Sequence, residues 1–236
     1  MVKTLQLQPA RTLLLALMAS LLAISSTAQA DKLSFNYIAA DYQVVDLDID
    51  ESASFGGDSL SLETDDDDGF QIAGAWEFYD HFHVFAQYSK ASNDLDFSVT
   101  SGGSTVTTSG DFDVVRARGG IGYGWPLNDR WSMYSRLTWD YLELDDFDIG
   151  GFSTDDTDDD GVGFEAGLRW LVLPSLELQA YGRYSDVGKV DTDNGIDDDL
   201  LGGIEGRWYF TERFAVQAGY EYGDIKTFGG GLRFAF

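Results

Sequence analysis

The chain has no cysteine, three prolines and two histidines. Without cysteine there is no disulfide, no thiolate nucleophile and no thiolate metal ligand. Imidazole chemistry rests on His81 and His83 alone. Basic residues are also scarce: 15 Lys and Arg stand against 41 Asp and Glu, a formal net charge of −26. Such a chain repels nucleic acid, whose affinity comes from Lys and Arg on phosphate. Its natural partners are cations and cationic surfaces. Long apolar runs are missing too. The stretch at residues 13–24 falls short of the ~20 residues a membrane helix needs, and nothing after it is longer.

That stretch belongs to a leader. Lys3 and Arg11 precede or open it, and Ala28-Gln29-Ala30 gives the small-x-small pattern cut by signal peptidase. Residues 1–30 read as a cleaved secretory signal peptide and residues 31–236 as one domain. Removing Lys3 and Arg11 makes the mature chain more acidic still.

High net charge can signal disorder. Here 27 Gly, 16 Phe, 12 Tyr and 6 Trp argue against it. The acids gather in runs, with apolar–polar alternation between them, the pattern of many strands joined by polar connections. Four stretches resemble one another: 65–89, 110–139, 158–185 and 197–223. Each starts in acids, alternates with glycine, and reaches Trp76, Trp125, Trp170 or Trp208. A short polar or proline turn follows, near 79–81, 126–130, 173–175 and 211–213, and alternation resumes. Four hairpins with flanking strands near 33–45 and 226–236 predict ten strands. Long acidic connections are expected near 46–66, 97–110, 146–159 and 187–198, with a short one near 223–224.

Short turns at one end and long loops at the other are the layout of a transmembrane β-barrel. A sheet in hydrocarbon has to close, because no water satisfies an open edge. The expected fold is all-β: a single antiparallel up-and-down barrel, with eight strands as the alternative count. Period-two alternation assigns the faces. Leu232, Phe234 and Phe236 share one side of the last strand, and Arg233 lies on the other. Along the remaining strands, Arg116, Arg118, Arg136, Arg169, Arg183 and Arg207 fall on the polar face. So do Glu77, Asp140, Glu165, Glu177, Glu205 and Glu221. A charge turned to lipid costs about 2–4 kcal/mol near the midplane, whereas inside it can be paired. The apolar face therefore turns to lipid. The near-balance of charge predicts a packed electrostatic plug. A soluble barrel with reversed sidedness gives the same alternation. The membrane version is favoured by Trp76, Trp125, Trp170 and Trp208, read as membrane-interface aromatics. Residues 33–45 alternate poorly, because Leu33, Phe35, Tyr37 and Ala39 share a side and Tyr42 and Val44 take the other. A bulge would account for the switch.

The ending Gly231-x-x-Phe234-x-Phe236 resembles the C-terminal signal read by the barrel-insertion machinery. With the leader and the alternation, the chain resembles the small outer-membrane β-barrel proteins of Gram-negative bacteria, the outer-membrane β-barrel domain family, over residues 31–236. That resemblance implies export to the outer membrane and a monomer surrounded by lipid and lipopolysaccharide. Many relatives have eight strands. Barrel enzymes of this kind place an Asp pair with His, or a Ser with His, at the outer or lipid-facing edge. Here His81 falls in a short turn and His83 beside it, so no catalytic residues are assigned and no enzyme is expected.

The acidic connections raise one further possibility. Asp156-x-Asp158-x-Asp160-Gly161 has the spacing that opens a Ca²⁺ loop, but position twelve is Gly167 rather than the bidentate Glu. Asp191-x-Asp193-Asn194-Gly195 and residues 65–68 are shorter echoes. Three readings stand: a self-repelling rim, a Ca²⁺ or Mg²⁺ site at Asp156, Asp158 and Asp160, or weak cation bridges to lipopolysaccharide phosphates. No cofactor is required. The functional expectation is a non-enzymatic barrel with a charge-plugged lumen and a structural or interaction role. A narrow cation or solute channel is the alternative.

Overall fold

The computed structural model describes residues 33–46, 50–56, 58–64, 67–149, 152–153, 157–187, 200–223 and 225–236. The leader, Asp65, Asp66, Asp156 and the segment 191–195 lie outside the described residues.

Ten strands form the barrel wall: β1 (Tyr37–Asp46), β2 (Asp67–Tyr79), β3 (Phe82–Ser101), β4 (Ser104–Asn128), β5 (Trp131–Ile149), β6 (Thr157–Leu173), β7 (Leu176–Ser185), β8 (Leu200–Tyr209), β9 (Phe214–Tyr222) and β10 (Lys226–Ala235). Each pairs antiparallel with its sequence neighbours. The ring closes where β1 meets β10, from Tyr37 opposite Ala235 to Asp46 opposite Lys226. The sheet therefore buries both of its potential edges, as a bilayer demands.

The turns at the short end follow from local chemistry. Asp80 and His81 both have positive φ, 33° and 72°, the backbone of a two-residue hairpin whose twist matches the strands. In the β4–β5 turn, Asn128 Oδ1 accepts from the backbone N–H groups of Arg130 and Trp131. Thr211 Oγ1 does the same for Arg213 and Phe214 in the β8–β9 turn.

The structure departs from expectation in four places. Residues 146–149 and 157–159 are not loop but the ends of β5 and β6, and Phe152–Ser153 pairs with Asp148 and Ile149. Residues 97–110 are not a loop. β3 and β4 run on in unbroken register from Phe82 to the Gly102–Gly103 turn. Alternating Ser, Thr and Val carries strand propensity that a charge-based reading overlooks. The connection 46–66 likewise contains a hairpin, Asp50–Phe55 with Asp58–Thr64. The second of these strands pairs with the extension of β3. Finally, the switch in 33–45 is not a bulge. β1 pairs both neighbours without a register shift. Phe35, Ala39, Asp41, Gln43 and Val45 are all buried, while Ile38, Ala40 and Tyr42 face outward. The strand is regular; only its inward face changes, from aromatic and apolar to polar.

Sidedness elsewhere agrees with the alternation. Leu137, Val162, Phe164, Ile204, Leu232 and Phe236 are each more than half exposed on the outer face. Arg169, Glu177 and Arg233 are at most 2 % exposed within.

Candidate functional site: an ion-paired lumen

The inward side chains form three tiers. At the short-turn end the segment before β1 turns into the barrel. Phe35 stacks on His83 with ring centroids 3.9 Å apart and meets Tyr134 edge-on. Gly124 and Gly167 lie under Phe35 and Tyr134, where a side chain would collide with the rings. Arg169 donates from Nη1 and Nη2 to the carbonyls of Leu33 and Ser34. Its Nε donates to Glu177 at 2.7 Å. Arg207 donates to the same Glu177 oxygen at 2.6 Å and to both oxygens of Glu205. Tyr209 donates to the second Glu177 oxygen. Glu177 is thus a buried carboxylate held by two guanidiniums and a phenol. Such short charge-assisted bonds are the strong class, and they offset the several kcal/mol it costs to desolvate each ion.

The middle tier crosses the lumen. Arg136 pairs with Glu165 directly opposite in register, at 3.1 Å. Arg118 reaches the other Glu165 oxygen. Arg116 on β4 meets Glu221 on β9 at 3.1 Å, and Arg183 meets the same oxygen at 3.2 Å. Since β4 and β9 are five strands apart in a ring of ten, the Arg116–Glu221 bond spans the full width. Tyr181 donates to the second Glu221 oxygen. Asp140 accepts from Thr138 and Ser185. Asp41, Gln71, Gln87 and Gln217 form a hydrogen-bonded patch on the adjoining wall. Arg233 is the exception. Its guanidinium lies 3.5 Å from the Tyr37 ring centroid, a cation–π arrangement.

The upper tier is mainly apolar, with Asn93 buried in it. Val45, Ala91, Leu95, Phe112, Val114, Leu142, Val187 and Ile225 form one buried cluster across the mouth. Among the charged tiers lies a chamber of about 130 Å³ bordered by Phe35, Arg169 and Arg207 on one side and by Arg116, Glu221 and Asp41 on the other.

Most of the charged residues expected in the lumen are therefore brought together. Glu77 is not among them: it stands at the short-turn end, half-buried, with His81 Nδ1 at 3.5 Å. His83 faces the lumen and is fully buried, its Nε2 accepting from Arg136 Nε. An imidazole fixed as acceptor to a guanidinium and stacked on Phe35 activates no nucleophile. The N-terminal plug, the cap and the glutamines escaped the sequence reading, which tracked charge alone. Inward apolar positions above the membrane, such as Leu95, Phe112 and Leu142, carried the missing signal.

Trp76, Trp125, Trp170 and Trp208 all lie within four residues of a short turn and together form one belt. Trp131 joins it, stacked on Trp170 at 4.8 Å. Phe234 packs between Phe214 and Phe236, and Gly231 lies so close to Ala40 and Asp41 that no Cβ fits. Asp158 and Asp160 are exposed on the outer face of β6 rather than wrapped in a loop. Strand geometry splays alternate side chains about 7 Å apart, and Asp160 accepts from the Trp139 indole at 3.0 Å. Among the described residues no three His, Asp or Glu converge on a point.

No curated protein matches the chain. Among solved structures, the outer membrane protein OprG from Pseudomonas aeruginosa is 17 % identical, with 89 % of this chain and 99 % of that one covered and a TM-score of 0.46. The translocator domain of the autotransporter NalP from Neisseria meningitidis is 14 % identical, covering 96 % and 98 %, with a TM-score of 0.49. The attachment invasion locus protein Ail of Yersinia pestis is 15 % identical, covering 85 % and 100 %, with a TM-score of 0.39. The family model described as outer membrane protein beta-barrel domain matches residues 14–203. The chain belongs to that family: it is an outer-membrane β-barrel of a Gram-negative bacterium, closed by ten strands around an ion-paired lumen.

Proposed function

We propose that this barrel neither catalyses nor conducts, and that its work is structural and interactive, done on its outer surface. The observation that carries the reading is the Arg116–Glu221 bond across the full width of the lumen. The Arg169–Glu177–Arg207 cluster below it and the apolar cap above support it. Opening a water path would strand paired charges and expose the cap together. In planar bilayers the purified protein is expected to give no steady conductance. Open channels of nanosiemens size would overturn the plug. A narrow channel is the second reading, favoured by the chamber of about 130 Å³ and its mixed charge. It requires small, cation-selective currents in the same experiment.

The outer surface supports an interaction with lipopolysaccharide through divalent cations. Above the outward aromatics, register sets acid against acid: Asp94 opposite Asp111, Asp113 opposite Asp145, and Glu143 opposite Asp158. Like charges directly across a ladder destabilise it, and a Ca²⁺ or Mg²⁺ shared with lipid phosphates relieves that repulsion. Splayed side chains favour weak bridging over a caged site. Calorimetric titration of the folded protein with Ca²⁺ tests this; no heat at millimolar Ca²⁺ leaves only a self-repelling rim. Insertion is assigned to the C-terminal strand, whose Phe234 and Phe236 present an apolar outer stripe with Gly231 against β1.

A further inference from the structure

Above the barrel, four strands continue as a small sheet: Asp50–Phe55, Asp58–Thr64, and the ends of β3 and β4. Register places Ser54, Ser59, Thr100 and Thr105 in one row across it. Ser52, Ser61, Ser98 and Thr107 make the row beside it. Directly paired residues share a face. The result is eight hydroxyls in two rows, spaced about 4.8 Å between strands and about 7 Å along them. Two pairs are locked to each other, Ser98 to Thr107 and Thr100 to Thr105, each at 2.8 Å. The opposite face carries Ala53, Leu60, Phe97, Val99 and Val106, with Thr108 beside Phe97.

This array departs from an ordinary solvated face. Exposed strands carry mixed charge, and edge strands carry it above all. The same face of β3 is acidic just below, at Asp94 and Asp96, whereas these two rows hold only Ser and Thr on all four strands. Short side chains on paired backbone also lose little entropy when they bind. The rows lie on the outward face of the same strands that carry Val84 and Tyr88 toward lipid. Going up β3 on that face, the order is apolar, then Lys90 paired with Asp113, then Asp94 and Asp96, then hydroxyl. At about 2.5 Å of height per tilted residue, Ser98 stands roughly 25 Å above Tyr88. In a Gram-negative outer leaflet, phosphates come first above the hydrocarbon and saccharide beyond them.

We propose that the hydroxyl face of this sheet binds the saccharide portion of the surrounding lipopolysaccharide. Each Ser or Thr hydroxyl offers a donor and two acceptors, the complement of a sugar hydroxyl. Those tied to each other keep an acceptor site for it. The sheet is continuous with the lipid-facing wall, so the bilayer's own glycolipid is the molecule that meets it. The proposal extends the lipopolysaccharide reading of the acidic belt, and the two fail separately.

The test uses full-length folded protein in bilayers holding either saccharide-complete lipopolysaccharide or its saccharide-free lipid anchor. Amide hydrogen exchange is followed across residues 95–109. Wild type is expected to exchange about tenfold more slowly with the complete glycolipid, the ratio that corresponds to 1.4 kcal/mol. The variant combining Ser98→Ala, Thr100→Val, Thr105→Val and Thr107→Val keeps strand propensity and is expected to exchange alike in both bilayers. Its fold is checked by heat-dependent gel mobility. A second variant, Val99→Thr with Val106→Thr on the opposite face, is expected to retain the wild-type difference. Equal exchange of wild type in the two bilayers overturns the proposal, as does full protection in the hydroxyl-less variant. Protection by lipid-free oligosaccharide but not by the bilayer overturns the assignment to the membrane's own glycolipid. Failure of the belt shows instead as lipopolysaccharide retention that chelation of divalent cations leaves unchanged.

Discussion

Glu177 and Glu77 are both glutamates on the inward side of a strand near the short turns, yet they answer to different physics. Glu177 is 1 % exposed and faces Arg169, Arg207 and Tyr209. Replacing it with Gln leaves two guanidiniums buried beside a neutral group. Breaking a buried pair from one side costs about 3–5 kcal/mol. Glu177→Gln is therefore expected to lower the denaturant midpoint of the folded barrel strongly, read by tryptophan fluorescence and gel mobility. Glu77→Gln loses only a half-exposed contact with His81 and is expected to stay within about 0.5 kcal/mol of wild type. Arg116 and Glu221 allow a sharper measurement, because their bond crosses the barrel. A double-mutant cycle on Arg116→Ala and Glu221→Ala is expected to show coupling of about 0.5–3 kcal/mol. Additivity would mean that the bond contributes nothing.

At the scale of the element, a strand's inward face alternates large and small across neighbours. Tyr134 on β5 lies over Gly167 on β6, its register partner. Tyr181 on β7 covers Gly203 on β8 in the same way. Gly167→Val drives a branched side chain into the Tyr134 ring, which Phe35 and Gln179 already hold. Overpacking of this kind costs about 1–3 kcal/mol, expected as a lower unfolding midpoint with the barrel still formed. The β3–β4 hairpin behaves oppositely. Residues 98–107 stand above the apolar cap and touch no lumen residue through the ladder. Joining Phe97 to Thr108 through a two-residue Asn-Gly turn is expected to leave heat-dependent mobility unchanged. A lost mobility shift would show that the hairpin supports the wall.

For the whole molecule, closure matters more than any strand. Whether the lumen passes ions is a property of the finished cylinder. A variant that removes charge from the middle tier, Arg116→Ala with Glu221→Ala, opens the widest cross-lumen contact while the cap remains. It is expected to stay silent in planar bilayers, and to stay silent with Phe112→Ser added, because Phe35, His83 and the Arg169–Glu177–Arg207 cluster still fill the short-turn end. Current from the double variant alone would show that the middle tier, not the cap or the short-turn end, is the barrier.

Much of this was legible in the chain. Strand number, turn positions and sidedness follow from period two, because a lipid face tolerates no charge and the inward face needs one partner for each. Arg169, Glu177 and Arg207 declared their side through their neighbours Leu168, Leu178 and Trp208. Alternation says which way a side chain points, but not at what height it stands or what stands across from it. Whether Arg116 meets Glu221, whether Phe35 turns inward, and whether Leu95 and Phe112 cap the mouth depend on register and tilt around the closed ring. Those are relations among residues far apart in the chain, 105 positions for Arg116 and Glu221 and 136 for Arg169 and Leu33, and only the folded cylinder fixes them.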